Sequence, residues 1–295
     1  MKPFFDCIPC LIRQSIAAVR LVTRDERVHE QVLREVLQAA SGMDLRQPPA
    51  AMSQVVHRRI RKLCQNGDPY RTSKARFNRL ALDLLPTFRH RLEEAPDPWN
   101  AAVRLAIAGN VMDLGVKGGL SEAEIGDSID RSLNEFLDGS TAEFAASVQQ
   151  ARSILYLTDN AGEIVFDRLL IERMPREKVT VGVRGLPVIN DATLEDAEQA
   201  GVTQLVQVID NGSDAPGTLL SDCSEAFQRH FADADLIIAK GQGNYETLRE
   251  SSKRIYFLLR VKCSVIAQDI GRSVGTMVLR SPPARVAEAV EGTRP

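Results

Sequence analysis

A chain of 295 residues, 44% hydrophobic and 26% charged, can bury one large core or two ordinary ones and is no disordered polymer. Its formal net charge of -2, with no dominant basic or acidic block, argues against nucleic acid as the main partner, since phosphate-backbone binding leans on clustered Lys and Arg. No apolar run is long enough to span a bilayer, so no membrane partner is expected.

The N-terminus, Met1-Lys2-Pro3-Phe4-Phe5 followed by Asp6, lacks the apolar run and small-residue cleavage site of a signal peptide. Five cysteines is a low, odd count, and a cytoplasmic location is expected. The first half then reads as helices. Ile12, Ile16 and Val19 recur at helical spacing, as do Val28, Val32, Val36 and Ala40; Thr23 and Glu26 form a capping box before the second run. The densest basic run, Arg58-Arg59-Ile60-Arg61-Lys62, lies on a helix marked by Val56, Ile60 and Leu63 and reads as a solvated face. Phe77, Leu80, Ala81 and Leu84 mark a fourth helix, which Pro86 interrupts or ends. After the break Glu94-Ala95-Pro96-Asp97-Pro98, Val103, Ile107 and Val111 resume the period until Gly115, Gly118 and Gly119. Ser121 with Glu124 offers another capping box before Ile125, Ile129 and Leu133.

Near residue 150 the period changes. Ser153 to Thr158 is a short apolar run ending in Asp-Asn, typical of a strand buried on both faces. Similar runs follow at Val179–Val183, Leu205–Ile209, Leu236–Ala239, Ile255–Leu259 and Ser264–Ala267. Helix-like stretches lie between several of them, such as Phe166-Leu169-Leu170 and Leu220-Cys223-Phe227-Phe231. Alternation of this kind predicts an α/β fold with a mainly parallel sheet flanked by helices. The expected division is a helical region over 1–150 and an α/β domain over 151–295.

In an open parallel sheet, ligands gather beyond the carboxyl ends of the strands. Four successive strand ends here carry carboxylates, carboxamides, glycines and one lysine: Thr158 to Glu163, Arg184 to Thr193, Asp210 to Thr218, and Lys240 to Glu246. Carboxylate and carboxamide oxygens are hard ligands that suit one divalent metal ion such as Mg²⁺ or Mn²⁺. Asp159 and Asp191 can supply charge and Asn160 a neutral carbonyl oxygen. Such an ion polarises a phosphoryl group. Lys240 can neutralise a phosphate as a point charge. Gly241 and Gly243 let backbone N–H groups approach an anion, as does the helix start expected after Gly217.

Each residue also has a plainer reading. An Asp or Asn just past a strand is often a turn residue or a helix N-cap. Thr193 and Asp196 read as a cap and a solvated charge, Asn211-Gly212 alone as a turn, and Glu163 as a first-turn acid favouring the helix dipole. The Gly241-x-Gly243 pair is not the G-x-G-x-x-G of a dinucleotide site. The pattern as a whole, rather than any one member, points to a metal and a phosphate.

The strings LTDNAGEIVFD, RGLPVINDAT, NGSDAPGT and KGQGNYETL, in this order, resemble the domain-of-unknown-function-89 family, the damage-control phosphatases. The N-terminal FFDCIPCLIRQ, NGDPY around Asp68, AIAGNVMDLGV around Asn110 and VKCSVIAQDIG are similar to its cysteine-containing prokaryotic branch. The resemblance spans nearly the whole chain. It implies a Rossmann-like α/β domain with a helical N-terminal region, and metal-dependent hydrolysis of phosphomonoesters of small metabolites, such as sugar phosphates or damaged phosphorylated metabolites. It maps the metal ligands to Asp159, Asn160 and Asp191, and the K-G-x-x-N lysine to Lys240 with Asn244 nearby. It also brings the helix of Asn110 and Asp113 to the mouth of the site, where Asn110 contacts substrate. The ion expected is Mn, Mg, Co or Ni.

Water is the expected nucleophile, with Asp159 or Asp191 assisting and Glu163 orienting it; an aspartyl-phosphate route stays open. Rival functions are an S-adenosylmethionine-dependent methyltransferase, whose glycine-rich first loop is missing here, and a non-enzymatic phosphometabolite-binding protein. Cys7-x-x-Cys10 follows no strand, as a redox pair would, and has no second C-x-x-C for zinc. It reads as small packing residues at a helix start. The physiological substrate and the oligomeric state leave no mark in the sequence.

Overall fold

The computed structural model describes residues 5–64, 67–111 and 122–281. Three helices come first: α1 (Cys7–Val22), α2 (Glu26–Ser41) and α3 (Pro49–Cys64). Their apolar faces, with Leu11, Val19, Val32, Val36, Val56 and Ile60, close on one another in a cluster of their own. The N-cap of α2 is Asp25, whose side chain accepts from the Arg27 N–H, so the expected Thr23–Glu26 box shifts by two residues. Thr23 instead receives the Asp25 N–H on its hydroxyl.

Helices α4 (Arg71–Glu94), α5 (Pro98–Ala108), α6 (Glu122–Ser132) and α7 (Thr141–Gln150) follow. Pro86 does not end α4. A Pro inside a helix costs about 3 kcal/mol, and the buried stripe Phe77, Leu80, Ala81, Leu85, Phe88 and Leu92 outweighs it. Helices α4 to α7 share one hydrophobic cluster with the sheet. Gly115, Gly118, Gly119, Asp113 and Ser121 lie outside the described residues.

Seven strands form the sheet: β1 (Leu137–Asp138), β2 (Ile154–Leu157), β3 (Val179–Val183), β4 (Gln207–Asp210), β5 (Leu236–Lys240), β6 (Ile255–Arg260) and β7 (Met277–Arg280). Their order is β1-β7-β6-β5-β2-β3-β4, and every pairing is parallel except β6 with β7. Strands β2 and β5 are buried along their whole length, because helices cover both faces. Helices α8 (Glu163–Ile171), α9 (Leu194–Gln199), α10 (Glu225–Asp233), α11 (Gly241–Leu248) and α12 (Ser264–Ile270) connect the strands. The α/β fold with a mainly parallel, helix-flanked sheet is as the sequence predicts.

Three strand expectations change. Ser264–Ala267 is the start of α12, closed by Gly271 in the left-handed conformation; an apolar run this short does not distinguish helix from strand. The run Leu205–Ile209 yields β4 two residues later, as a half-exposed edge strand. Strands β1 and β7 add an edge that no apolar run announced. Helix formation after Gly217 is also delayed, to a 3₁₀ turn at Leu220–Asp222 and then α10.

Sequence runs outward from β2 through β3 to β4 on one side and from β5 to β6 on the other. The order therefore reverses between β2 and β5, and the two connections diverge there to leave a crevice at the carboxyl ends. Residue Asp159 follows β2 and Gly241 follows β5.

Candidate active site

The chain beyond β2 is pinned by a short antiparallel bridge that joins Asn160 to Asp191. The Ala192 N–H donates to the Asp159 carbonyl and the Ala161 N–H to the Asn190 carbonyl, each at 2.8 Å. This bridge brings Asp191, well beyond the end of β3, beside the end of β2. Ile189, just before it, holds φ at 45°, a region that a β-branched residue rarely adopts. Fully buried Arg184, the first residue after β3, donates Nε to Asp191 Oδ2 at 2.7 Å and so orients that carboxylate.

Behind Asp159 lies a chain of buried acids. Asn110 Nδ2 donates to Asp159 Oδ2 at 3.1 Å and to Glu163 Oε2 at 2.7 Å. Asn160 Nδ2 makes the same two bonds, at 2.7 and 2.9 Å. Both amide groups thus hold Asp159 and Glu163 together, and no hydrogen bond among the described residues uses Asn160 Oδ1. Lys240 Nζ donates to Glu163 Oε1 and the Ala106 carbonyl, at 2.7 and 2.8 Å, and to Asp167 Oδ1. Tyr156 donates its hydroxyl to the same Asp167 oxygen.

The protonation balance follows from this crowding. Burial, then the neighbouring Glu163, pushes the Asp159 carboxyl well above the usual carboxylate range, against the pull of Lys262. Burial lifts Asp167 to about 6 although Lys240 opposes it, and Asp167 Oδ2 is buried without a partner. Burial also acts against the Lys240 charge, but Asp167 and Glu163 outweigh it and hold the ammonium protonated. Four buried carboxylates (Asp159, Glu163, Asp167 and Asp191) face two buried cations, Lys240 and Arg184. When all are ionised, the excess is two negative charges, the charge of one divalent cation.

A cavity of about 410 Å³ opens over this cluster. Its floor is Asp159, Asn160, Asn190 and Asp191; one wall is Gln242, Gly243 and Glu246 of α11 with Lys262 and Cys263 beyond β6. The opposite wall comes from the first helices, with Cys7, Cys10, Arg13 and Gln14 of α1 and Pro49, Met52 and Ser53 of α3. Helix α3 is fixed to the sheet side by charge: Arg58 and Arg61 pair with Asp214, and Gln54 donates to Asp214 and Asp222 at 2.7 and 2.6 Å. The basic run is therefore not a wholly solvated face. Asp196 is likewise no solvated charge, being buried against Lys74 at 2.8 Å and Asn78 at 2.9 Å, while Thr193 does form the cap of α9.

The other singled-out residues lie behind the cavity. Lys240 faces the acids, not the open space. Asn244 is fully buried and ties the strand ends together, donating to the carbonyls of Thr158 and Lys240 and accepting from the Thr218 hydroxyl. Gly217, with φ at 118°, lies against the Gly243 carbonyl, where a side chain has no room. Gly241 lies against Asp159 in the same way. Asn110 and Glu163 hold the floor from below. Sequence reasoning passed over Arg184, Asp167, Glu246 and Lys262. Applying the strand-end rule to a fifth strand, β6, finds Lys262. Asp167 shares a helix face with Glu163 four residues earlier, and Glu246 with Gln242 in the same way.

The donors are hard oxygens that share one cavity floor, so they fit a divalent cation. The set holds two carboxylates and one amide. Among the described residues no group of three His, Cys, Asp or Glu side chains is arranged to hold a metal.

A sheet with its order reversed beneath an acid-lined cavity defines an α/β protein whose cavity lies at the switch point. Residues 4–278 match the damage-control phosphatase ARMT1-like domain, and the chain belongs to that family. A damage-control phosphatase of Archaeoglobus fulgidus is 38% identical over 280 residues, covering 93% of this chain and 97% of the relative. One from Pyrococcus horikoshii is 33% identical over 287 residues, covering 94% and 97%. The crystal structure of a DUF89 family protein from Pyrococcus horikoshii superposes with a TM-score of 0.88 at 31% identity, over 96% of this chain and 99% of that one. Among the described residues, no helix is long and apolar enough to cross a membrane.

Proposed function

We propose that this protein is a metal-dependent phosphatase acting on phosphomonoesters of small metabolites, with Asp159, Asn160 and Asp191 as the ligands of one divalent ion. The observation that carries the reading is a cavity floor that presents those three side chains above a buried cluster of four carboxyls and two cations. The names of the two archaeal relatives support the same activity. When bound, the ion supplies Lewis-acid charge to a phosphoryl oxygen. Mn²⁺, Mg²⁺, Co²⁺ and Ni²⁺ all suit oxygen donors of this kind.

The chain's own residues do the rest. Arg184 fixes the Asp191 carboxylate from behind. Asn110 and Asn160 hold Asp159 beside Glu163, and Lys240 keeps Glu163 in place, so it is a positioning residue. The cations that line the cavity are Lys262 and Arg13, and they neutralise the phosphate. No aromatic side chain belongs to the lining among the described residues, so a purine base would find no stacking platform. This favours a compact, hydroxyl-rich ester such as a sugar phosphate, and gives the S-adenosylmethionine reading no support.

The test is hydrolysis of p-nitrophenyl phosphate and a phosphometabolite panel, with each of the four metals. Metal-dependent turnover that Asp159→Asn abolishes is expected. Turnover unchanged in Asp159→Asn, or absent with every metal, overturns the proposal.

A further inference from the structure

Helix α11 adds a carboxyl to the cavity that the arrangement above does not employ. Glu246 lies on α11, one turn beyond Gln242, and is 8% exposed while lining the same cavity as Asp159, Asn160 and Asp191. Gln242 Nε2 donates to its Oε1 at 2.8 Å and fixes the head of the side chain. Lys262, after β6, lines the same cavity and acts electrostatically on both Glu246 and Asp159. Helix α11 packs against β5, β6 and α3. The titratable groups that share its cavity from these elements and from α1 are Asp6, Cys7, Cys10, Arg13, Lys262 and Cys263, besides the floor acids. No histidine is among them.

Given the phosphatase reading, we infer that Glu246 is the general acid that protonates the departing alcohol. Burial raises its pKa to about 7, against the opposing pulls of the Gln242 bond and Lys262, so it carries a proton near neutral pH and can give it up. The need for such an acid is chemical. A sugar or alkyl oxygen leaves poorly as an alkoxide, and the acids on the floor are engaged with Asn110, Asn160 and Arg184. In the step, water oxygen forms a new P–O bond as the ester P–O bond breaks. The electron pair of the broken bond stays on the alcohol oxygen, which takes the Glu246 proton. The proton lost by the attacking water leaves with the product phosphate or to solvent, and solvent re-protonates Glu246.

The decisive experiment compares two leaving groups in the wild type and in Glu246→Gln, a variant able to keep the Gln242 contact. With an aliphatic phosphomonoester, kcat is expected to fall about 100-fold or more. With p-nitrophenyl phosphate, whose phenolate leaves without a proton, it is expected to change less than about threefold, which also reports an intact fold and floor. An infrared carboxylic-acid band that titrates near pH 7 in the wild type is expected to be missing from Glu246→Gln. Equal losses on both esters, or no loss on either, overturn the role of Glu246. No hydrolysis of either ester by the wild type with any metal instead removes the phosphatase reading, and this inference with it.

Discussion

Gly241 lies so close to Asp159 that a Cβ on it would overlap the carboxylate, and its φ of 77° already excludes most side chains. The carboxylate of Asp159 thus rests on bare backbone at the start of α11. Gly241→Ala must displace Asp159 or rotate α11, so a stability loss of about 2 kcal/mol or more is expected. Hydrolysis of p-nitrophenyl phosphate is expected to fall at least about 100-fold. Urea unfolding followed by the assay checks both; an active, equally stable variant would show that the contact does not constrain the site.

Among the described residues, Lys240 is the lysine that bonds to the buried acids below the floor. Lys240→Met leaves Glu163 and Asp167 without their cation, which for a buried pair costs about 3–5 kcal/mol. Adding Asp167→Asn to Lys240→Met is expected to recover part of that loss. A lysine acting only on substrate would give a stable variant with a raised KM, and unfolding curves distinguish the two.

Asn78 reaches from α4 to the same loop. Its Oδ1 accepts the Gly162 N–H at 2.6 Å, while Nδ2 donates to Asp196 and Gln199 at 2.9 and 2.8 Å. Asn78→Ala strands a buried N–H, at a cost of about 1–3 kcal/mol, between Asn160 and Glu163. A lowered Tm and a higher Mn²⁺ concentration for half-maximal activity are expected, and titration at constant substrate measures the latter.

Glu246 makes stability fall as pH rises. Its folded pKa of about 7 stands above the ordinary value of 4.5, so the folded state binds the proton more tightly. The stabilising contribution is complete below about pH 4 and is lost as pH rises through about 7. Glu246→Gln removes this dependence. It is expected to match the wild type near pH 4 and to exceed it at pH 8 by on the order of 2–3 kcal/mol. Denaturation midpoints at the two pH values decide the matter, and equal differences at both would contradict the assigned shift.

How far the sequence reached depends on how local the signal was. Strands β2, β3, β5 and β6 are mainly apolar runs because both faces are covered, and that leaves a plain mark. The two-residue β1 leaves none. The tripeptide Asp159-Asn160 with Ala161 announced itself by standing at a strand end. Asp191 reaches Asn160 only through the bridge of backbone bonds to Asn190 and Ala192, which no local pattern encodes. Lys240 stands at the end of its strand, yet which way its ammonium points is decided by Glu163 and Asp167 on α8, a tertiary matter. The same holds for Arg58 and Arg61, whose partner Asp214 is more than 150 residues away along the chain.

The cavity has two walls of different origin. Its floor and one wall belong to the strand ends and α11, while the facing wall belongs to α1 and α3, a cluster with its own core that is held by the Arg58 and Arg61 pairs to Asp214. On the proposed reading, the metal-binding oxygens and most of the facing wall therefore come from separate stretches of chain, with Arg13 the one α1 residue assigned to the phosphate. Substitutions at Cys10, Gln14 or Met52 can reshape the chamber without touching an oxygen of the floor. If the proposed function holds, a relative with other side chains on α1 and α3 is expected to accept a different ester over the same floor, so one acidic floor would serve many metabolites by exchange of the helices that face it.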